Sequence, residues 1–330
     1  MYDDKRRYCD AKTILLHKTC ATIGPNDNSR SRLVTAVAPA GSPRVERIWT
    51  VVVNWRQTEA TLACLASLER AGADLGDVVV IDNEARDALL MRARTRFPRT
   101  TVLTQSENLG FASAVNIGAE YAIERGATAV LLLNNDALLL PDAVRNFTDA
   151  LTRNPRFGVF TAKVFLTEAP DRLWAVGGHF TGRRVEDIGS GEKDVGRYDD
   201  VRLDFVYGCA MLVRADVFRK LGGFDERFFL YYEDIDFCLR ARDAGWEVRM
   251  APDAHALHEG SKSTRGEPRM KVYHHARSRM LFFRQHLMGQ RFAFAISELA
   301  FIARNVATHL VRGEGQNAVA YIRGTLDALR

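Results

Sequence analysis

The sequence predicts an α/β fold in which a mostly parallel sheet is covered by helices on both faces. Three observations carry this. The runs Ile48–Val53 (IWTVVV), Asp77–Ile81 (DVVVI) and Thr128–Leu133 (TAVLLL) are continuously apolar rather than alternating, as strands buried on both faces are. Helical stretches separate them, which is the rhythm of βαβ units. Polar clusters fall where those strands end, at Asn54, Asp82-Asn83 and Asn134-Asn135-Asp136. Ligands of parallel sheets bind at those carboxyl ends.

The elements follow in order. Residues 1–46 show no sustained periodicity, and their turn-rich stretches Ile23–Ser31 and Ala38–Arg44 read as a disordered N-terminal extension. Whether it is part of the native protein stays open. After the strand Ile48–Val53, Thr58–Arg70 reads as a helix with Leu62, Leu65 and Leu68 on one side. The strand Asp77–Ile81, the helix Arg86–Arg96 and the short strand Thr100–Leu103 come next. Phe111–Arg125 is a helix of small residues closed by Gly126. Thr128–Leu133 is the fourth strand, and Pro141 is placed to open a helix. Beyond Leu151 the rhythm loosens. Val159–Phe165, Asp204–Val213 and Trp246–Met250 read as strands, and Gly177–Gly196 has no clear period. Asp216–Leu221 and Glu233–Ala244 read as helices, each stopped by glycine, and from Met270 the chain is mostly helical.

Composition narrows the class. A hydrophobic fraction of 47% and a charged fraction of 26% exclude disordered and fibrous chains. The five cysteines are scattered without a CxxC pair. That argues against a disulfide framework or zinc knuckle and for a reducing, cytoplasmic setting. The net charge of +5 is too small to argue for a nucleic-acid partner. The first strand is followed by Asn54-Trp55-Arg56-Gln57 rather than glycines. A dinucleotide dehydrogenase, a kinase or a nucleotidyltransferase is disfavoured on that ground.

Three constellations carry chemistry. Asp136 ends a buried strand, where a carboxylate can hold a cation that bridges two phosphates. As a helix cap for the segment at Pro141 it stands several residues too early. Phe228–Arg240 (FFLYYEDIDFCLR) puts Glu233, Asp234 and Asp236 at the start of a helix behind an aromatic run. Two readings stand: acids that favour a helix N-terminus, or an ionised general base beside a wall suited to a sugar ring. His258 lies in a loop after Trp246–Met250, flanked by Gly260 and Ser261, and spacing alone does not make it a ligand. His274, His275, His286 and His309 read as surface or satisfied side chains.

These segments together resemble the inverting family-2 glycosyltransferases of the glycosyltransferase-A fold, and most of all their rhamnosyltransferase-like branch. The carrying residues are Val51–Asn54, Val80–Asn83, Asn108–Ala112 with Asn116 and Gly118, Leu132–Pro141, Tyr207–Arg214, Leu221–Asp225, Tyr232–Arg240 and His258–Ser261. The resemblance covers about residues 48–262 and implies a catalytic domain over 47–262 followed by a helical region over 263–330.

It further implies roles. Asp82 would bind the nucleobase or ribose of a nucleotide-diphosphate sugar, and the Asn54 region would line the same pocket through backbone groups, with Asn83 beside them. Asn108, Gly110 and Asn116 would shape the ribose and diphosphate site, although Asn116 is equally readable as a buried amide bonded to backbone. Asn134-Asn135-Asp136 matches the family's Asp-x-Asp motif with Asn at its first position. Asp136 and His258 would then hold Mg²⁺ or Mn²⁺. Asp234 would be the general base and Glu233 would orient the acceptor or base. Trp174, His179 and Tyr207 are candidates for the acceptor wall, with ordinary packing as the competing reading. The implied function is transfer of a sugar, rhamnose from a dTDP donor in the closest branch, to a saccharide or lipid-linked acceptor in bacterial surface-polysaccharide synthesis. A UDP- or GDP-sugar donor, and a binding protein without turnover, are the alternatives.

Residues 261–330 carry twelve Lys and Arg against four Asp and Glu. Met280–Phe283, bracketed by arginines, and a helix over Phe292–Leu310 could lie on an anionic leaflet at the inner face of the plasma membrane. Packing against the catalytic part is the equal alternative.

Overall fold

The computed structural model describes residues 46–84, 89–258, 267–287 and 291–330, with the backbone alone for 291–295. The expected extension before residue 46, the start of the helix Arg86–Arg96, the Glu259–Ser261 end of the His258 motif and the boundary at 262 lie outside the described residues.

Strand β1 (Ile48–Asn54) pairs in parallel with β2 (Val78–Asn83) on one side and β4 (Ala129–Asn134) on the other, and β2 pairs in parallel with β3 (Thr101–Gln105). Helices α1 (Thr58–Arg70), α2 (Leu89–Arg96) and α3 (Phe111–Glu124) connect them. Alternate residues feed opposite faces of the sheet. Val51, Val79 and Ile81 join a core with α3, while Val52, Val80 and Leu131 join a second core with α1 and α2. The small residues of α3 have a reason: a Cβ on Gly118 would stand 2.5 Å from Val51 Cγ1.

Beyond β4 the sheet becomes mixed. After β5 (Ala137–Leu139) and α4 (Ala143–Arg153) come β6 (Phe157–Leu166) and β7 (Ala169–Ala175), then the hairpin β8 (Gly177–Phe180) and β9 (Val185–Ile188). Then follow β10 (Ala210–Arg214), α5 (Ala215–Leu221), α6 (Glu233–Asp243) and β11 (Glu247–His258). The sheet order is β3-β2-β1-β4-β10-β6-β11-β5, with β7 on β6. β10 runs antiparallel between β4 and β6, and β11 runs parallel to β6. The chain ends in α7 (Pro268–His286), α8 (Arg291–Val311) and α9 (Gly315–Asp327). Among the described residues no helix is long and apolar enough to cross a membrane.

Four local expectations are corrected. Pro141 does not open a helix: β5 intervenes, and α4 starts behind Asp142, held at φ 62°. The strand Trp246–Met250 continues to His258, because an irregularity in pairing between Ala251 and His255 accommodates Pro252. The strand expected over Asp204–Val213 is regular only from Ala210. The Gly-rich stretch conceals the β8–β9 hairpin. A Cβ on Gly178 would stand 2.1 Å from the Glu186 carbonyl oxygen, so glycine here allows close backbone approach rather than a loop.

Candidate active site

The strands β1, β2 and β4 end together, and a cavity of about 480 Å³ opens beyond their last residues. Asn83 and Asn134, the final residues of β2 and β4, are in its wall.

Hydrogen bonds fix the side of the cavity nearest β1 and β2. The Asn83 Nδ2 donates to Asn108 Oδ1 at 2.9 Å and to the Gly110 carbonyl at 3.1 Å, while its Oδ1 accepts from Leu109 N at 2.9 Å. One amide thus holds the whole Asn108–Gly110 turn. Gly110 sits at φ 84°, and a Cβ there would meet the Phe229 carbonyl oxygen at 2.5 Å. The next residue, Phe111, donates its N–H to that same oxygen at 2.7 Å. Glycine is therefore required twice at 110, by conformation and by space.

Below this turn a buried chain links three strand ends. Asn54 Nδ2 donates to Asp82 Oδ1 at 2.8 Å, Thr61 Oγ1 donates to Asn54 Oδ1 at 2.8 Å, and Asn135 Nδ2 donates to Thr61 Oγ1 at 3.1 Å. Asn54 and Asp82 are about 1% exposed and lie outside the cavity wall, whereas Asn135 lies in it. The first two therefore position the strand ends.

Asp136 follows in the turn between β4 and β5. The antiparallel pairing of β5 with β11 sets His258 opposite Ala137. That register brings His258 Nε2 to 3.0 Å from Asp136 Oδ1, with both side chains buried. His258 Nδ1 is buried without a hydrogen-bond partner among the described residues. The indole of Trp174 stands edge-on to the imidazole at 4.4 Å.

Opposite lies the start of α6. Tyr231 and Tyr232 both adopt φ 71°, a left-handed conformation that costs about 1–2 kcal/mol per residue. Two such residues in succession turn the chain so that Glu233 and Asp234 begin the helix at the cavity wall. Asp234 accepts N–H bonds from Gly208 at 2.9 Å and Ile235 at 2.8 Å. Burial raises its carboxyl above the ordinary aspartate value, and those backbone donors oppose the rise. Glu233 is raised further, by burial first and then by the neighbouring Asp234 charge. Its Oε2 is buried without a hydrogen-bond partner among the described residues.

The third carboxylate, Asp236, faces away from the cavity and is fully buried. It accepts from Arg240 Nε and Gln285 Nε2 at 2.8 Å each, and His286 Nε2 stands 2.7 Å away. It joins α6 to the end of α7.

Trp174 and Tyr207 line the cavity, and the Tyr207 hydroxyl donates to Asp187. Two further expected residues, besides Asn54 and Asp82, lie outside the wall. His179 lies outside the wall with its Nδ1 3.7 Å from Asp204. Asn116 is held by the Phe224 backbone, donating to its carbonyl at 2.9 Å and accepting its N–H at 2.8 Å. It is a buried amide that fixes the Gly222–Asp225 turn.

The sequence model of the family described as glycosyltransferase like family 2 matches residues 43–285. The chain belongs to this family.

Relatives of this family-2 glycosyltransferase include the N-acetylglucosaminyl-diphospho-decaprenol L-rhamnosyltransferase of Mycobacterium tuberculosis. It is 29% identical over 68% of this chain and 80% of its own length. The rhamnosyltransferase WbbL of Escherichia coli is 28% identical over 58% of this chain and 76% of its own. The dTDP-rhamnosyl transferase RfbF of Shigella flexneri is 23% identical over 77% and 86%. Among solved structures, the mannosyltransferase PcManGT of Pyrobaculum calidifontis, in complex with GDP-Man and Mn²⁺, superposes with a TM-score of 0.52 at 14% identity. It covers 88% of this chain and 89% of that one. GalNAc-T7 with UDP, GalNAc and Mn²⁺ gives 0.53 at 12% identity over 72% of this chain, which spans about half of that protein (48%). The fold is the glycosyltransferase-A fold that the resemblance implied.

Sequence reasoning missed part of the glycosyltransferase's cavity wall. Met270, His275 and Arg279 of α7 belong to it. His275 reads as a surface or satisfied residue and is indeed exposed over part of its surface, yet it also stands in the cavity wall. Arg279 pairs with the buried Glu298 of α8 at 2.7 Å. The signal was present in the arginine-flanked run around Met280, but nothing in a linear pattern aims α7 at the cavity.

Proposed function

We propose that this glycosyltransferase moves rhamnose from a dTDP-linked donor to a lipid-linked or saccharide acceptor in the synthesis of a cell-surface polysaccharide, with inversion at the transferred carbon. One observation carries the reading. A half-buried carboxylate oriented by two backbone amides, Asp234, shares a single cavity with the Asp136–His258 pair. The names of the relatives supply the sugar.

Asp234 takes the proton from the acceptor hydroxyl as that oxygen attacks the anomeric carbon, and the nucleoside diphosphate leaves from the opposite face. Its raised affinity for a proton suits that task, since a base closer to neutral accepts a proton more readily. Glu233 orients the acceptor or Asp234. Asn83, Asn108, Gly110 and Asn135 shape the ribose and diphosphate side, braced from behind by Asn54 and Asp82. Trp174 and Tyr207 form an apolar wall for the acceptor sugar.

The donor set fits a divalent cation. A buried carboxylate and an imidazole 3.0 Å apart match neighbouring corners around an ion with ligands at about 2.1 Å. Among the described residues no larger group of His, Cys, Asp or Glu gathers, so a bound ion would draw its remaining ligands from the donor and water. Asp136 and His258 would hold Mg²⁺ or Mn²⁺, and such an ion neutralises charge on the leaving diphosphate.

Thermal stability measured with a panel of nucleotide sugars tests the donor. At a hundredfold excess over Kd, a bound donor adds about 2.7 kcal/mol. Stabilisation by dTDP-rhamnose supports the reading, and stabilisation by UDP- or GDP-sugars alone contradicts it.

A further inference from the structure

Helices α8 and α9 turn apolar side chains outward. Ile296, Leu299, Leu310 and Val311 on α8, Val319, Ile322 and Leu326 on α9, and Leu329 just beyond it, are 43–88% exposed. They are eight of the ten large apolar side chains exposed among the described residues. On α8 they recur at helical spacing, with Ala303 and Ala307 between them, and on α9 they fall three or four residues apart, so each set forms one stripe.

Neither helix can roll over to hide its stripe. The inward side of α8 carries Glu298, buried against Arg279. The inward side of α9 carries Ala318, Tyr321 and Gly324, and a Cβ on Gly324 would stand 2.3 Å from the Tyr273 carbonyl oxygen. Of the two segments that looked membrane-directed in the sequence, Met280–Phe283 packs instead, with Phe282 and Phe283 buried in the core with α3 and α6, while Phe292–Leu310 falls on α8.

Charge selects what covers the stripes. The four acids of residues 261–330 all have partners within the protein: Glu267 with Arg56, Glu298 with Arg279, Glu314 with His309, and Asp327 with Tyr273. Exposed Arg304, Arg312, Arg323 and Arg330 border the stripes, the last two standing 3.7 and 3.3 Å from Asp327. A second copy packed face to face would set arginine against arginine. Residues 1–46 are themselves net basic, with eight Lys and Arg against five Asp and Glu. An anionic lipid surface complements both the stripes and the arginines.

We propose that α8 and α9 form a docking face that lies in the headgroup layer of an anionic membrane. A groove between α7 and α9, lined by Arg269, Met270, Val319 and Arg323, lies beside this face and shares Met270 with the active-site cavity. Val319 belongs to the exposed stripe and Met270 to the active-site cavity. Resting on the function proposed above, the groove admits an acceptor whose apolar tail stays in the bilayer while its diphosphate meets the two arginines.

Flotation of the full chain with vesicles tests this. Phosphatidylcholine vesicles with about 30% phosphatidylglycerol should carry the protein up, and pure phosphatidylcholine or high salt should release it. Leu299→Asp combined with Val311→Asp should lower the bound fraction about tenfold or more. The variant's thermal stabilisation by nucleotide sugar should be that of the parent chain. If that variant does not fold, Ile322→Ser with Leu326→Ser makes the same test. Failure to float on anionic vesicles, or undiminished flotation of the variants, overturns the proposal. A dimer in light scattering that the variants convert to monomer overturns it too, in favour of a second copy. A chain that floats but is stabilised by no nucleotide sugar leaves the docking face standing and removes the proposed function.

Discussion

Glu233 and Asp234 pull stability and activity in opposite directions. Burial raises both carboxyls, so each is costly to ionise in the folded chain. A carboxyl raised on folding stabilises fully below its unfolded value and loses that contribution as pH climbs to the folded one. For Glu233 the loss therefore begins above 4.5. Glu233→Gln should unfold at higher temperature than the parent at pH 8, by about 1 kcal/mol or more in stability. The gain should vanish near pH 4, as calorimetry at the two pH values would show. Activity has the opposite slope: the acid limb of kcat/KM should lie above 3.8, the ordinary aspartate value. The acids were legible in the sequence because charge at a buried strand end or behind an aromatic run is conspicuous. The amides were not. The side-chain groups of Asn54 and Asn116 are taken up by Asp82, Thr61 and the Phe224 backbone, which for Asn116 is the buried-amide reading that stood level with the ligand one. A linear pattern does not say which way an amide faces.

At the level of elements, two contacts aim the site. Asp236 ties α6 to α7 through Arg240, Gln285 and His286, and Arg240 also donates to the Leu221 and Gly223 carbonyls at 2.9 Å each. Asp236→Ala should cost about 3–5 kcal/mol, because it leaves a partly buried guanidinium without its partner. The shift in urea midpoint measures it. Gly110→Ala imposes both a strained φ and a clash with the Phe229 carbonyl. A loss of about 2–3 kcal/mol is expected, together with a raised donor KM, and steady-state kinetics would report the second effect. The parallel βαβ half was plain in the sequence because each strand is a continuous apolar run. The pairing of β5 with β11 was not. Its strand contains Pro252, and the three residues of β5 look like the approach to a helix. Yet that pairing is what joins Asp136 to His258.

Across the whole molecule, the net charge of +5 is a cancellation. Residues 47–260 carry 26 Lys and Arg against 32 Asp and Glu, while residues 261–330 carry an excess of eight positive charges. An acidic catalytic part must accept a doubly anionic donor, which makes a cation at Asp136 and His258 physically useful. Donor binding followed by calorimetry should therefore weaken about 10–100-fold on chelation with EDTA. Asp136→Asn should weaken it similarly and abolish the response to added Mn²⁺.

Asp234 as the base of an inverting transfer is the centre of this account. The most direct measurement is single-turnover transfer of rhamnose from dTDP-rhamnose by the parent chain and by Asp234→Asn, with the anomeric configuration of the product read by NMR. The expected result is an inverted product, a rate reduced about 10²–10⁴-fold in the variant, and a donor affinity within about threefold of the parent. A variant that transfers at the parent's rate, or a product of retained configuration, would contradict it.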